Sequence, residues 1–366
     1  MKWKTTPIKT SWDDLLRGVR SPADWEKKRK VVKKRFLELL RDEAAPRPPR
    51  DRKLKVEREW EGGGFRIRYI SYQVEEDERA HAYVAVPDAP VPKGGFPAVI
   101  CLHGTTNWGA RRTLGLPPEH GDPDYNKGMF GMDSARQLVR RGYVTISPEH
   151  FCAGKRLPAE GRFETAPFYR RHPGWSAVGK YMYDSRIACS VLAAHPEVNP
   201  RRIGVTGHSL GGQGSIWLTA YDDRIRCSVP SCAASTFREN PEPLHWSRDR
   251  WYIYFPQLRK DFLAGRKVQC DFHEMMALIA PRPLLEFFAL NDGYPSSQQH
   301  RAMLHLKVHE LYRLLGAEQA HAFLVFGDGH SFPDLSRACM LSWMDRWLKH
   351  GGAPLGGWDS SLTPGG

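Results

Sequence analysis

The chain has 366 residues, 41% hydrophobic and 26% charged, an ordinary balance for a globular protein with a large core. No apolar run approaches the roughly 20 residues that span a bilayer, and Met1–Pro7 lacks an apolar signal segment, so neither a membrane partner nor a secretory leader is expected. The net charge of +13 is concentrated: residues 1–55 hold 18 Lys+Arg against 8 Asp+Glu, which places ten of the thirteen charges there and argues against a nucleic-acid partner.

In chain order, Ser21-Pro22-Ala23-Asp24 predicts a helix start, with a serine cap and proline at the first helical position. Trp25, Val32, Phe36, Leu39 and Leu40 follow at helical spacing and predict a buried face, while Lys27 to Arg35 supply a solvated one. Charge reversal at Lys28 or Lys30 is therefore expected to matter little. Ala45–Arg50 is a proline-rich linker that cannot be helical. Residues 1–55 read as a basic helical extension, 56–350 as one catalytic domain and 351–366 as a polar, glycine-rich tail.

Phe65–Val74 and Ala80–Val86 predict a leading hairpin across the acidic turn Glu75–Glu78. Apolar runs at 97–102, 143–148, 203–206, 225–230, 283–289 and 322–326 alternate with helical stretches. That alternation predicts an α/β fold, a mainly parallel sheet covered on both faces. A last helix is expected over Asp334–Lys349, with Leu335, Cys339, Trp343 and Trp347 on its apolar face and Met340 and Met344 flanking it. The segments Asn107–Lys127 and Pro241–Lys267 exceed what the alternation requires and carry aromatics, which either line a lid or pocket or bury the insertion onto the domain.

The chemistry concentrates at the C-terminal ends of the predicted strands. Gly207-His208-Ser209-Leu210-Gly211 reads G-x-S-x-G between the strand at 203–206 and a helix that begins at Leu210, the context of a nucleophile elbow. A serine hydroxyl needs a base, and the base needs a third group to fix its tautomer. His330 follows the strand at 322–326, and Asp292 follows the strand at 283–289; Asp328 and Asp271 are competing acids. The run 97–102 leads into His103-Gly104-Thr105-Thr106, where a glycine lets the backbone approach a substrate.

From about Tyr69 to His350 the chain resembles the α/β-hydrolase superfamily, and within it the dienelactone-hydrolase-like and acetyl-xylan-esterase-like branch. The resemblance is carried by Leu102-His103-Gly104, Arg141–Pro148, Asn199–Ser209 and Ile279–Leu285. It implies a serine esterase of short-acyl or carbohydrate-linked esters, working through Ser209, His330 and Asp292, with Asp292 preferred because it follows the strand that carries the acid in that family. The oxyanion donors implied are the N–H groups of Leu210 and Thr105, with Thr106 as the alternative. Dienelactone hydrolases proper use cysteine as nucleophile, and Ser209 stands in its place here.

Other residues receive quieter roles. Trp108, Glu149, His150, Trp246 and Trp251 are candidates for the substrate pocket; His103 is expected to pack beneath the oxyanion loop. Asp184 and Arg186 read as a structural ion pair. His305 and His309 have the spacing of a metal pair, but the H-E-x-x-H glutamate is missing and a surface helix is expected. No metal and no cofactor are expected. Seven scattered cysteines without a C-x-x-C pair suit free thiols in the cytoplasm. The alternatives are an amidase or peptidase of the same fold and a non-catalytic binding module.

Overall fold

A computed structural model describes residues 8–106, 109–117, 132–238, 242, 244–293 and 298–352. Nine strands form one sheet: β1 Lys55–Glu61, β2 Phe65–Glu75, β3 Glu78–Pro87, β4 Phe96–Leu102, β5 Val144–Pro148, β6 Val198–His208, β7 Ile225–Ser231, β8 Leu284–Ala289 and β9 His321–Phe326. The α-helices are α1 Pro22–Leu40, α2 Ser134–Arg140, α3 Ala166–Arg171, α4 Ala177–Ala193, α5 Leu210–Tyr221, α6 Leu258–Leu263, α7 Phe272–Ala277, α8 Gln298–Leu314 and α9 Asp334–Met344.

The strand order is β1-β2-β3-β5-β4-β6-β7-β8-β9. The first three strands meander antiparallel and β3 joins β5 antiparallel; from β5 to β9 every pairing is parallel. Parallel strands covered on both faces run nearly continuously apolar, and every residue of β4, β5 and β8 is buried, the polar exceptions being Thr145, Ser147 and Glu286. The chain leaves β4 for β5 on one side and reaches β6 on the other. That reversal opens a crevice at the C-terminal ends of β4 and β6, where open α/β sheets place ligands.

The sequence reading missed β1, whose seven residues are half-buried at most. It is an edge strand held by its ladder to β2, so it carries no apolar alternation to detect. The last helix was expected to bury Leu335, yet Leu335 is 71% exposed. The buried positions are Ser336, Met340, Met344 and Leu348, one residue further along. Gly204 in β6 explains the rotation: a Cβ there would lie 2.9 Å from Leu348 Cδ1 and 3.0 Å from Met344 Sδ. From Asp345 to Lys349 the helix widens into a π turn.

Helix α1 lays Trp25, Val32, Phe36, Leu39 and Leu40 into the main core. Its basic residues do more than face solvent. Lys33 Nζ donates to the carbonyls of Ala220 and, at 2.8 Å, Tyr221, the C-terminal end of α5, where a cation complements the dipole. Lys28 Nζ donates to the carbonyls of Asp14 and, at 3.0 Å, Arg17, which corrects the expectation that it is free. Ahead of α1, the Ser11 hydroxyl donates to the buried Glu274 carboxylate, and Trp12 packs on His273 at 5.1 Å. Glu274 also closes a capping box with Asp271 at the start of α7.

Two outcomes follow. Phe36→Ala should lower unfolding free energy by about 3–5 kcal/mol; in the same urea titrations Lys28→Glu should cost about 1–2 kcal/mol and Lys30→Glu under about 0.5. His273 is fully buried, and burial pushes its proton affinity down to about 3. The unfolded chain therefore takes up a proton that the native chain refuses, so stability is complete above pH 6.5 and falls as pH drops from there toward 3. Comparing urea midpoints of wild type and His273→Asn between pH 7.5 and 5 should show a shallower acid loss in the variant.

Candidate active site

Ser209 stands between β6 and α5 with φ 59° and ψ −123°, a conformation that L-residues adopt only when the surroundings impose it. Its N–H donates to Ser231 O at the end of β7 (2.9 Å), and its carbonyl accepts Gln213 N–H (2.9 Å) in the first turn of α5. The turn is crowded by backbone. A Cβ on Gly211 would sit 2.0 Å from Leu102 O, and one on Gly207 would sit 2.4 Å from Gly211 C. Glycine is the residue these approaches permit.

The expected acid and base lie together. His330 Nδ1 is 3.1 Å from both Asp292 carboxylate oxygens, so Nδ1–H donates and Nε2 remains the basic nitrogen. The Asp292 side chain is fully buried, while that of His330 keeps 21% of its surface. Asp328 is exposed, and Asp271 accepts the N–H groups of Phe272 and Phe237 at 2.7 and 2.9 Å, which commits it to capping α7. The His208 ring lies tilted against that of His330, 4.6 Å between centroids, and burial pushes its proton affinity well below the usual histidine range.

Two cavities meet at the serine. Both are lined by Thr105, Ser209 and His330; one holds about 140 Å³ and includes Thr106, the other about 230 Å³ and includes Leu210. The larger is walled by Trp246, Trp251 and Tyr254, and Arg248 lies over the Trp251 and Tyr254 rings at 5.3 and 5.2 Å. Two of the expected pocket residues thus reach the cavity. Trp108 lies outside the described residues, as do parts of both aromatic insertions and the tail beyond residue 352.

Glu149 and His150 line neither cavity, a correction to the sequence reading. Glu149 accepts Tyr69 O–H (3.0 Å) and Lys155 N–H (2.8 Å), and burial raises its proton affinity. His150 accepts Cys152 N–H at Nδ1 (3.1 Å) and faces the Tyr252 hydroxyl with Nε2 (3.0 Å). The residues past β5 dip beneath the site because their polar atoms find partners there. His103 joins them: Nδ1–H donates to Gly104 O (2.8 Å), Nε2 accepts His150 N–H (3.0 Å), and burial depresses it to about 4. It props the loop after β4 as a neutral imidazole.

Two further expectations are corrected. Asp184 pairs with Arg156 (2.5 Å) and Lys180 (3.0 Å), whereas Arg186 stacks on Tyr221. His305 is fully buried and bonds Glu286 on β8 at 3.0 Å, so that face of α8 turns to the core. The reading missed Arg301, Gln213, Cys232 and Arg248 at the site; for Arg301 the signal was its place one turn before His305 on a face that also bears Leu304, Val308 and Leu311.

Among the described residues, Cys232, Asp292 and His330 form the group that could take a metal ion, with ligand atoms within 4.8 Å of one another. Asp292 and His330 are already engaged with each other. All seven cysteines are unpaired, six of them buried. No described helix is long and apolar enough to cross a membrane.

No protein-family model matches the chain. It is 26% identical over 317 residues to the putative hydrolase YtaP of Bacillus subtilis, covering 86% of this chain and 98% of that protein. Among solved structures, a glucuronoyl esterase from Solibacter usitatus superposes with TM-score 0.71 at 15% identity, over 94% of this chain and 98% of that one. A putative acetyl xylan esterase from Bacteroides fragilis superposes with TM-score 0.62 at 18% identity, over 84% and 76%. With its mainly parallel nine-stranded sheet and the serine turn after β6, the chain has the α/β-hydrolase fold.

Proposed function

We propose that the protein is a serine carboxylesterase acting on esters with a carbohydrate on one side of the ester bond. The observation that carries this reading is the strained Ser209 sharing both cavities with His330, which is itself bonded to the buried Asp292. In this mechanism Ser209 Oγ attacks the ester carbonyl and passes its proton to His330 Nε2. Asp292 holds Nδ1–H and stabilises the imidazolium. The oxyanion takes hydrogen bonds from the N–H groups of Leu210 and Thr105. Collapse expels the alkoxide, which receives the proton from His330 and departs as the alcohol. Water, deprotonated by His330, then cleaves the acyl-enzyme and releases the acid. No cofactor enters.

The aromatic wall of the larger cavity supports a ring-shaped substrate: Trp251, 39% exposed, is the aromatic a sugar can reach, while Trp246 and Tyr254 are buried behind it. The similarity to carbohydrate esterases points the same way. The buried free thiols support a reducing, cytoplasmic setting. In domain terms, the described part of residues 1–55, from residue 8 on, packs as an extension on a catalytic domain that spans 56–350.

Labelling with a fluorophosphonate probe tests the serine directly. Wild type should label and Ser209→Ala should not, while the variant keeps its fold and loses several orders of magnitude in kcat on p-nitrophenyl acetate. Asp292→Asn should cost roughly four orders of magnitude in kcat and Asp328→Asn almost nothing. A wild-type chain that folds but neither labels nor hydrolyses would be a binding module. Acetylated sugars and methyl uronates should be hydrolysed, and short esters should exceed matched anilides by roughly tenfold or more in kcat/KM; parity or a preference for anilides would make it an amidase.

A further inference from the structure

Helix α8 stands outside the triad, yet one of its faces turns three polar side chains inward. Arg301, His305 and His309 recur every fourth residue. The Arg301 side chain is 4% exposed; its Nη1 lies 3.2 Å from Asp292 Oδ2 and 3.4 Å from Gln298 Oε1. His305 faces Glu286 Oε2 with Nε2 (3.0 Å) and His321 Nε2 with Nδ1 (3.2 Å), and His309 meets His321 Nδ1 at 3.2 Å. The other Glu286 oxygen accepts Ala233 N–H (3.1 Å) and Ala234 N–H (2.6 Å), just past β7 beside the serine. Two anchors thus fix the helix that delivers Arg301.

We propose that Arg301 is a positioning residue of the triad: a buried guanidinium that holds the Asp292 carboxylate toward His330 and tempers how strongly that carboxylate favours the imidazolium. This rests on the esterase reading above. His330 Nδ1 touches both carboxylate oxygens, and Arg301 touches Oδ2 from the side of α8, so the plane of the carboxylate is held from two directions. A charge with 0% side-chain exposure needs a partner, and Arg301 makes the pair neutral. When His330 accepts the serine proton, it does so beside a carboxylate whose charge is already shared.

Without the guanidinium, the full carboxylate charge would face the imidazole. The imidazolium would gain, and His330 would stay protonated to higher pH. Among the described residues, the other titratable and charged groups packed around it are His208 on β6, Cys232 past β7 and Arg112, whose charge acts on His208. Burial holds His208 neutral and pushes the Cys232 thiol up to about 12. Both are shifted away from the range in which a histidine base switches on, His208 downward and Cys232 upward.

The test is the pH dependence of fluorophosphonate labelling and of kcat/KM on p-nitrophenyl acetate for wild type, Arg301→Lys, Arg301→Gln and His309→Gln. NMR titration of the His330 ring accompanies it, assigned by its loss in His330→Ala. In Arg301→Gln the acidic limb and the NMR midpoint should both rise by about one pH unit. The plateau kcat/KM should fall roughly tenfold to a hundredfold. Arg301→Lys, which keeps the charge, should restore most of the limb position. His309→Gln, remote from Asp292 on the same face, should lower the melting temperature without moving the limb.

An Arg301→Gln limb and midpoint equal to wild type would overturn the proposal. Equal activity losses in the Lys and Gln variants with an unmoved midpoint would also overturn it, reducing Arg301 to a structural role. A folded wild type that neither labels nor hydrolyses would overturn the esterase reading, and the NMR titration would still decide the Arg301 pairing.

Discussion

The close approach of four backbone segments around Ser209 is the constraint on which the rest depends. β4, β6, β7 and the start of α5 meet there, and glycine at 207, 211 and 212 leaves no side chain to hold them apart. A non-glycine residue at positive φ costs on the order of 1–3 kcal/mol, so it persists only where neighbours fix it on both sides. Ser209 N–H on Ser231 O and Gln213 N–H on Ser209 O provide that hold. The strand ladder β4·β6·β7 therefore sets where the serine stands, and the fold of the sheet is part of the geometry of the site.

A second layer of polar groups carries the site from below. Lys180, 2% exposed, binds Glu75, Glu78 and Asp184, while Arg156 binds Glu78, Asp184 and the carbonyl of Glu149. Buried ion pairs contribute little net stability, since desolvation offsets their attraction. What this network does is fix direction. It pins the chain after β5 to β3 and α4, that chain offers His150 N–H to His103, and His103 holds Gly104 in the loop after β4. Broken hydrogen bonds in this chain would displace Thr105 without touching any residue that lines the two cavities except His103.

The basic N-terminal helix illustrates how charge can serve packing. Its lysines close the carbonyl end of α5 and the turn ahead of α1, and Arg29 pairs with Asp223. The same α5 follows directly on Ser209, so the extension braces at its far end the helix that carries the Ser209 turn. A net charge that looks like a binding signal in composition is here partly spent on backbone carbonyls.

Local rules are enough for some of this protein. G-x-S-x-G between an apolar run and a helix start, and Asp and His after later apolar runs, are legible because close backbone packing demands glycine and parallel strands demand unbroken apolar stretches. The parallel strands were visible for that reason, and β1 was not, because an edge strand is held by backbone bonds that leave no side-chain pattern. Only the tertiary structure decided which way polar side chains turn. It rotated α9 by one residue to suit Gly204, turned His305 inward to the buried Glu286, sent Glu149 and His150 beneath the site, and brought Arg301 from α8 to Asp292. Each outcome depends on a partner distant in sequence: a buried polar atom takes the orientation in which it is bonded, and its partner is set by the packing of the whole sheet.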